Sequence, residues 1–538
     1  MRKIDDEIQA LLLEHRGDIR SILKDNHRLD LLYALSSQRE LLLEWYDFEP
    51  EAEVLQVGAD YGALTGLFRS SVRAVTVLDD TESALETVRQ RYPGAANIYY
   101  RKDSLAGYAA EACAEGKKYD YVIFAGTLTS PYEKHIHAAK SLLKPEGILI
   151  VASANALGMK YFAGTVEEEN ALTKRQLTEL LCGDRETQSM ADESGALKFY
   201  YPMPDYKTPV SIYSDAYLPK KGDLTRVTPA YDYPPYHLME QGEKFDTVCE
   251  AGLFDLYANS YLVFWSADPK QLQKEDERIF MKYNKTRREE FQIKTCICER
   301  NVTGAAGASD AAGADATGNS AAGKKERYVE KAALSLDGSA HIASFKEKYE
   351  KLTKQHRTLK VAEPKFAEHR NSVFFPYLVG ETCAEKLGEQ LEGGQLPLDV
   401  LQIVMNQIYD ISPECRSAFI RTEEFDEVFG ADLTEEEQKL LLSDTACEVS
   451  NIDALFENML MTREGIYCLD YEWVFLFPVP EHFVKYRILY YFYEQYSSVL
   501  KQLTLDQILG YFGITPEMAE VYRKMEENFQ SYVHGENQ

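Results

Sequence analysis

The chain has 538 residues, with 59 basic and 87 acidic side chains and a formal charge of −28. That acidity excludes a general nucleic-acid binder, which needs a basic surface against phosphates, and it excludes electrostatic docking on anionic lipid. Apolar residues make up 45%, enough for buried cores, and the nine cysteines are scattered without zinc spacing or a disulfide framework, as expected for a reduced cytoplasm.

The charged start, Met1-Arg2-Lys3-Ile4-Asp5-Asp6-Glu7, has no apolar signal-peptide core. No run of about 18 apolar residues follows, so no integral membrane segment is expected. Residues 1–46 read as a helical segment, with leucines at helical spacing. From about 53 the pattern alternates. Val54–Val57, Ala74–Leu78, Ile98–Tyr100, Tyr121–Phe124 and Ile148–Val151 read as strands, and Glu82–Arg91 and Tyr132–Leu143 as helices between them. That alternation predicts right-handed crossovers and a parallel sheet. Lys198–Tyr201 and Ser260–Phe264 are two later strands. Between them an insertion, 202–245, is rich in Pro and Tyr, and reads as a folded cover over a pocket. This first domain is expected over 47–268.

A second unit is expected over 280–535. Phe291–Cys298 and Arg327–Lys331 read as strands. The tract between them, 303–323, contains 14 Ala or Gly among its 21 residues, and its composition predicts a disordered loop rather than a domain boundary. A charged helix over about 335–357, strands near 358–362 and 372–378, and mostly helices complete the chain.

In the first domain the strand Val54-Leu55-Gln56-Val57 runs into Gly58-Ala59-Asp60-Tyr61-Gly62 and then a helix. Glycine allows close backbone approach to a ligand, and a helix start offers free amide donors. Asp79 ends the second strand, where a carboxylate can accept ribose hydroxyls. Asp103 follows the third strand and can reach an adenine amine. Phe124-Ala125-Gly126 ends the fourth and would close the pocket floor. This arrangement resembles the class I S-adenosylmethionine-dependent methyltransferases. Gly58, Gly62 and Asp79 match the family motif. Gln56 stands in place of its first acidic residue and Asp60 in place of its middle glycine. The Lys144-Pro145-Glu146-Gly147 turn and the two late strands are also similar to the family. The resemblance implies S-adenosyl-L-methionine held by Gly58, Gly62, Asp79, Asp103 and Phe124. It names no methyl-transfer base. Asp205, Tyr206, Lys207, Tyr213, Asp215 and Tyr217 in the insertion read equally as pocket lining or as a packed lid.

In the second unit Asp453, Asn458 and Asp470 have the spacing of a phosphoryl-transfer set: an Asp for the acceptor hydroxyl, an Asn and a second Asp for magnesium. Lys331 could reach phosphates, with Glu347 or Glu350 as its partner, and Phe374–Gly380 could link two lobes. This order resembles the protein-kinase-like fold, especially its small-molecule branch, and implies Mg-ATP bound by Lys331, Asn458 and Asp470 with Asp453 as the catalytic residue. Asn451 replaces the usual His, and Asp470-Tyr471-Glu472 replaces Asp-Phe-Gly. The cluster Tyr471, Trp473, Phe475 and Phe477 reads as core packing.

The expected fold class is therefore α/β, with a Rossmann-like seven-stranded methyltransferase domain plus an α+β kinase-like C-terminal domain. The layout is similar to bacterial methyltransferase–kinase enzymes that modify surface glycans. It implies a small-molecule or glycan acceptor and partner proteins of a glycan-assembly pathway. Two other functions stay open: a small-molecule kinase with a degenerate methyltransferase domain, and a non-catalytic scaffold of two degenerate enzyme folds.

Overall fold

The computed structural model describes residues 3–183, 195–224, 238–302, 324–367, 371–393, 398–497, 499–500 and 503–535. Its contacts divide the chain into two units, Met1–Tyr283 with Cys298–Arg300, and Asn284–Ile297 with Asn301–Gln538. The Ala/Gly tract at 303–323 and residues 225–237 of the insertion lie outside the described residues. Among the described residues no helix is long and apolar enough to cross a membrane. All nine cysteines are free thiols.

The first unit opens with three helices, α1 (Lys3–Glu14), α2 (Ile19–Asp25) and α3 (Leu29–Leu35). Ile8 and Leu12 of α1, four apart, share a small apolar cluster with Ile22 and Leu31. The sheet then alternates with helices in chain order: β1 (Glu53–Val57), α4 (Thr65–Ser71), β2 (Ala74–Asp79), α5 (Glu82–Arg91), β3 (Ile98–Lys102), α6 (Leu105–Ala114), β4 (Tyr119–Ala125), α7 (Tyr132–Ser141) and β5 (Leu143–Ala154). Neighbouring strands among β1 to β5 pair in parallel, in the order β3-β2-β1-β4-β5. Their centres are buried on both faces, which is why they read as continuous apolar runs rather than alternating ones.

The remaining elements are α8 (Met159–Phe162), α9 (Lys174–Cys182), β6 (Ala196–Met203), β7 (Ser211–Ser214), α10 (Gln241–Glu250), α11 (Phe254–Tyr257), β8 (Ser260–Ser266) and β9 (Asp276–Tyr283). β8 is antiparallel to β5, from Ile148↔Ser266 to Ala154↔Ser260, and β6 is antiparallel to β8 on its other side. The two expected late strands therefore extend the sheet past β5, with β8 reversed between β5 and β6. Two details differ from the sequence reading. Pro145-Glu146-Gly147 does not precede β5 but lies inside it, as the irregularity between the pairs Tyr119↔Leu143 and Tyr121↔Ile148. The unit also runs past 268, because β9 pairs with β7 through Ser211↔Lys282 and Ile212↔Met281.

In the second unit β10 (Ile293–Val302) and β11 (Lys324–Ala333) precede α12 (Ser339–Gln355), followed by β12 (Lys360–Val361), β13 (Lys365–Phe366) and β14 (Ser372–Pro376). β11 and β14 are antiparallel from Tyr328↔Pro376 to Ala332↔Ser372. α12 buries His341, Ile342, Phe345, Lys348 and Leu352, one helical stripe. A hairpin, Met459–Thr462 with Gly465–Cys468, and long helices at Glu481–Tyr496 and Pro516–His534 follow. Tyr471, Trp473, Phe475 and Phe477 belong to or pack against the core, and Trp473 meets Phe529 edge-on at 5.2 Å. They provide packing, as their apolar spacing suggests.

Candidate functional site

In the first unit the strand order reverses between β1 and β4. In open α/β sheets the crevice at such a switch point, outside the carboxyl ends of the strands, is where ligands bind. Both strands that flank it end in a left-handed glycine, Gly58 with φ 89° and Gly126 with φ 79°. Side chains rarely adopt that conformation, and there is no room for one. A Cβ on Gly58 would meet Thr127 at 2.6 Å, and one on Gly126 would meet the Tyr206 hydroxyl at 2.5 Å. Gly58, Asp79, Asp103, Ala125, Gly126 and Thr127 are all half-buried at this end of the sheet.

The carboxylate of Asp79 is held by neutral donors. Its Oδ2 accepts from the Ala59 amide at 2.9 Å, and its Oδ1 accepts from the Thr81 amide and hydroxyl at 2.9 and 2.7 Å. A carboxylate offers about four acceptor positions, so these three bonds leave about one for a ligand hydroxyl. Asp103 packs beside the first turn of α6, where a Cβ on Gly107 would meet its Oδ1 at 2.5 Å, and it lies 3.6 Å from Arg101. Phe124 is a correction. It is 1% exposed and belongs to the apolar core with Ala109 and Ile136, so the crevice at the end of β4 is formed by Ala125 and Gly126.

The two departures from the family motif both have structural partners. Gln56 is buried. Its Nε2 donates to the carbonyls of Gly58 and Ala59 at 3.1 and 3.2 Å, and its Oε1 accepts from the Thr65 hydroxyl at 2.8 Å. An ionised acid could not donate those two bonds. Asp60 and Tyr61 both take positive φ, 41° and 54°. Asp60 Oδ2 accepts from Arg39 Nη2 at 2.6 Å, and the Tyr61 hydroxyl donates to Asp5 of α1 at 2.7 Å. The N-terminal helical segment thus holds the glycine loop, a role that no motif in residues 1–46 announces.

A charged cluster lies beside Gly126. Lys160 of α8 is fully buried, and its Nζ reaches Asp205 at 2.6 Å and Glu168 at 2.9 Å. Glu168 also meets Lys207 at 3.2 Å and the Tyr206 hydroxyl at 3.3 Å. Burial works against ionisation of Asp205, but Lys160 and Lys207 outweigh it and hold the carboxyl below its usual range. Of the insertion residues, Tyr206 thus packs on Gly126, and Asp205 and Lys207 belong to this cluster. Lys160, Glu168 and Arg39 were not legible, because lysines, acids and arginines this common carry no spacing signal.

The second unit brings Lys331 and Asp470 together beside the buried carboxylate of Glu472. Lys331 Nζ reaches Asp470 at 2.7 Å and Glu472 at 3.8 Å. Glu472 also pairs with Arg287 and, at 2.9 Å, with His341 Nε2, while Lys348 donates to its backbone carbonyl. Burial would raise the Glu472 pKa, but Arg287, His341 and Lys331 reverse that and hold it well below the usual range. Burial pushes Lys348 down to about 8. Asp453 Oδ2 accepts from the Trp473 amide at 3.0 Å, and Asn458 Nδ2 donates to the Asp453 carbonyl at 2.9 Å. Burial, with Asp470 nearby, pushes Asp453 up to about 7. Neither Glu347 nor Glu350 partners Lys331. Both lie on the exposed face of α12, and the buried stripe presents His341 and Lys348 instead. Among the described residues no three or more His, Cys, Asp or Glu side chains are grouped to hold a metal.

No family model matches the chain, and no curated protein matches it. Solved structures similar to parts of it include a precorrin 8w decarboxylase from Methanobacterium thermoautotrophicum, 17% identical over 31% of this chain and 77% of that one, with a TM-score of 0.23. An N-methyltransferase from Bradyrhizobium japonicum WM9 in complex with S-adenosyl-l-homocysteine is 19% identical over 27% of this chain and 72% of that one, at 0.21. A Haemonchus contortus phosphoethanolamine N-methyltransferase 1 is 13% identical over 48% of each chain, at 0.27.

Proposed function

We propose that the first unit is an S-adenosylmethionine-dependent methyltransferase acting on a sugar, a glycan or another small-molecule acceptor. One observation carries the reading. Gly58 and Gly126, both left-handed, flank the switch point, and Asp79 and Asp103 stand at the ends of the two next strands. The reversed β8 separates this sheet from the all-parallel order of dinucleotide-binding folds. The residues fit the group. The Gly58–Gly62 backbone can approach closely, Asp79 keeps an acceptor position for a ribose hydroxyl, and Asp103 can accept from the adenine amine. When bound, the cofactor supplies an electrophilic methyl group. The chain's part is to hold the acceptor in line with it and to exclude water.

Calorimetric titration with S-adenosylhomocysteine tests the reading. Binding is expected, and Asp79→Ala should weaken it by about 10- to 100-fold, as expected for loss of a charge-assisted hydrogen bond. No heat at millimolar ligand would sink the cofactor assignment.

A second reading concerns the second unit, and the meeting of Lys331, Asp470, Asp453 and Asn458 favours it: a kinase-like fold that takes Mg-ATP. The glycan acceptor and glycan-assembly partners rest on the pairing of these two kinds of unit in one chain. Magnesium-dependent ATP binding that disappears in Asp470→Ala is the expected result, and binding unchanged by that substitution would refute it.

A further inference from the structure

A second cleft lies in the first unit, apart from the switch point. It sits on β8 and β6, two and three strands from β4. The register Lys198↔Phe264 puts those two side chains on one face of the sheet, and the period of two adds Tyr200. Trp45 and Tyr46, before β1, and the stretch 271–278, running into β9, complete the lining. The cleft measures about 430 Å³ with its open mouth included. Its three cations are met differently. Lys198 pairs with Glu277, and Arg278 Nη1 pairs with Asp47 at 2.7 Å. Lys274 has no carboxylate at ion-pairing distance. Its Nζ donates to the Asp47 carbonyl at 3.2 Å and rests 4.0 Å from the centre of the Tyr46 ring. Burial lowers its pKa. Asp47 and Glu49 oppose that shift, Arg278 and Lys198 add to it, and the net direction is down.

We propose that Lys274 is a covalent capture site for a small uncharged aldehyde, which its amine takes as an imine inside this cleft. A lysine desolvated against apolar walls beside other cations is the setting in which the amine becomes a nucleophile. The ring of Tyr46 and the Asp47 carbonyl hold Nζ in one place, so the nucleophile is positioned as well as exposed to the cleft. In the reaction the neutral Nζ attacks the carbonyl carbon and forms a C–N bond. Both amine protons pass to the carbonyl oxygen, which leaves as water, and a C=N bond remains. Nothing is oxidised or reduced, and no co-reactant is needed. The lining selects against a charged aldehyde. With Lys274 neutral, two cations, Lys198 and Arg278, face three acids, Asp47, Asp276 and Glu277, so one net negative charge turns an anion away. The site needs no cofactor, so its failure leaves the methyltransferase reading untouched.

The test treats the full chain with propionaldehyde or with glyoxylate, a small anionic aldehyde, and fixes imines with cyanoborohydride. Peptide mass spectrometry follows Lys274 against Lys134 and Lys270, both exposed. With propionaldehyde Lys274 should label about 10-fold faster than either reference, the gain in free amine from one pKa unit. Its rate should also saturate as the aldehyde is raised, because the aldehyde binds in the cleft before it reacts. With glyoxylate the advantage over the references should shrink by at least about 3-fold, as like charge requires. Tyr46→Leu, with its melting curve as the check on folding, rehydrates the amine and should also cut the advantage by at least about 3-fold. Labelling of Lys274 no faster than the references overturns the site. A rate that rises without saturation overturns it too, since it marks a reactive amine with no binding cleft. An advantage as large with glyoxylate as with propionaldehyde overturns the choice of an uncharged aldehyde, and a folded Tyr46→Leu that keeps the full advantage overturns the part given to the ring. If that variant does not fold, the wild-type rates alone decide.

Discussion

Asp79 in the first unit and Asp470 in the second both stand at or just beyond the end of a strand, yet they are met differently. Asp79 receives one backbone amide, a second amide and a hydroxyl, all neutral. Asp470 accepts from the Glu472 amide at 3.2 Å and, unlike Asp79, also from the ammonium of Lys331 at 2.7 Å. Neutral donors fix a carboxylate in place and leave its charge for a ligand. A buried lysine fixes it by cancelling that charge. The first arrangement leaves a carboxylate charge uncompensated by any cation, and the second does not. In the second, any cation brought to Asp470 would have to compete with Lys331, and the cluster is balanced within itself by Glu472.

The largest effect should follow from breaking that balance. Glu472→Gln leaves Arg287, Lys331 and His341 facing a neutral amide in a buried site, and removing one partner of a buried ion pair costs about 3–5 kcal/mol. Urea denaturation should record that loss. The matching change in the first unit, Asp79→Asn, keeps one acceptor oxygen but turns an NH2 toward the donors on the other, and at this half-exposed site it should cost only about 1 kcal/mol. Similar losses in the two variants would erase the contrast between the units.

A smaller and pH-dependent effect should come from Asp453. Burial and Asp470 raise its folded pKa from 3.8 to about 7. Between those two pH values the folded state holds a proton that the unfolded state has released. Stability from this group is therefore present below about pH 4, falls as pH rises toward 7, and is level above that. Asp453→Asn, which keeps an acceptor for the Trp473 amide, removes the slope. The difference in unfolding free energy between variant and wild type should grow in favour of the variant from pH 4 to 7. A constant difference across that range would show that Asp453 is not charged against its surroundings in the folded chain.

The parallel strands, the glycine turns and Asp79 were legible because each follows from a local rule: apolar runs for strands buried on both faces, glycine for positive φ, a carboxylate at a strand end. Lys331, Asp453 and Asp470 were legible through spacing, and the fold does bring them together. The partners of these residues were not legible. Arg39 reaches Asp60 across 21 positions, Lys160 reaches Asp205 across 45, and Arg287 reaches Glu472 across 185, and nothing local marks any of them. Glu347 and Glu350 show the converse. Their spacing on α12 suited a partner for Lys331, but the stripe that packs inward is set by Ile342, Phe345 and Leu352, and that stripe carries Lys348 inward and turns both glutamates to the exposed face. Phe124 failed for the same reason, since an aromatic on a strand buried on both faces belongs to the core.

The family's own residue supplies the last test at the loop. Gln56→Glu restores the usual acid at the end of β1, and by motif alone it should improve the site. The hydrogen bonds say otherwise. Gln56 donates to two carbonyls, Gly58 and Ala59, and a carboxylate there would face both oxygens with no proton to offer. Only the bond from the Thr65 hydroxyl survives the change. An unsatisfied buried group costs about 1–3 kcal/mol, so the variant should melt at a lower temperature. The loop that Gln56 supports also carries Gly58 and Asp60, so affinity for S-adenosylhomocysteine should fall with stability. A variant that is more stable and binds more tightly would mean that the loop has a second arrangement, one in which an acid at 56 turns toward the ligand and the Gln-held loop is the closed form.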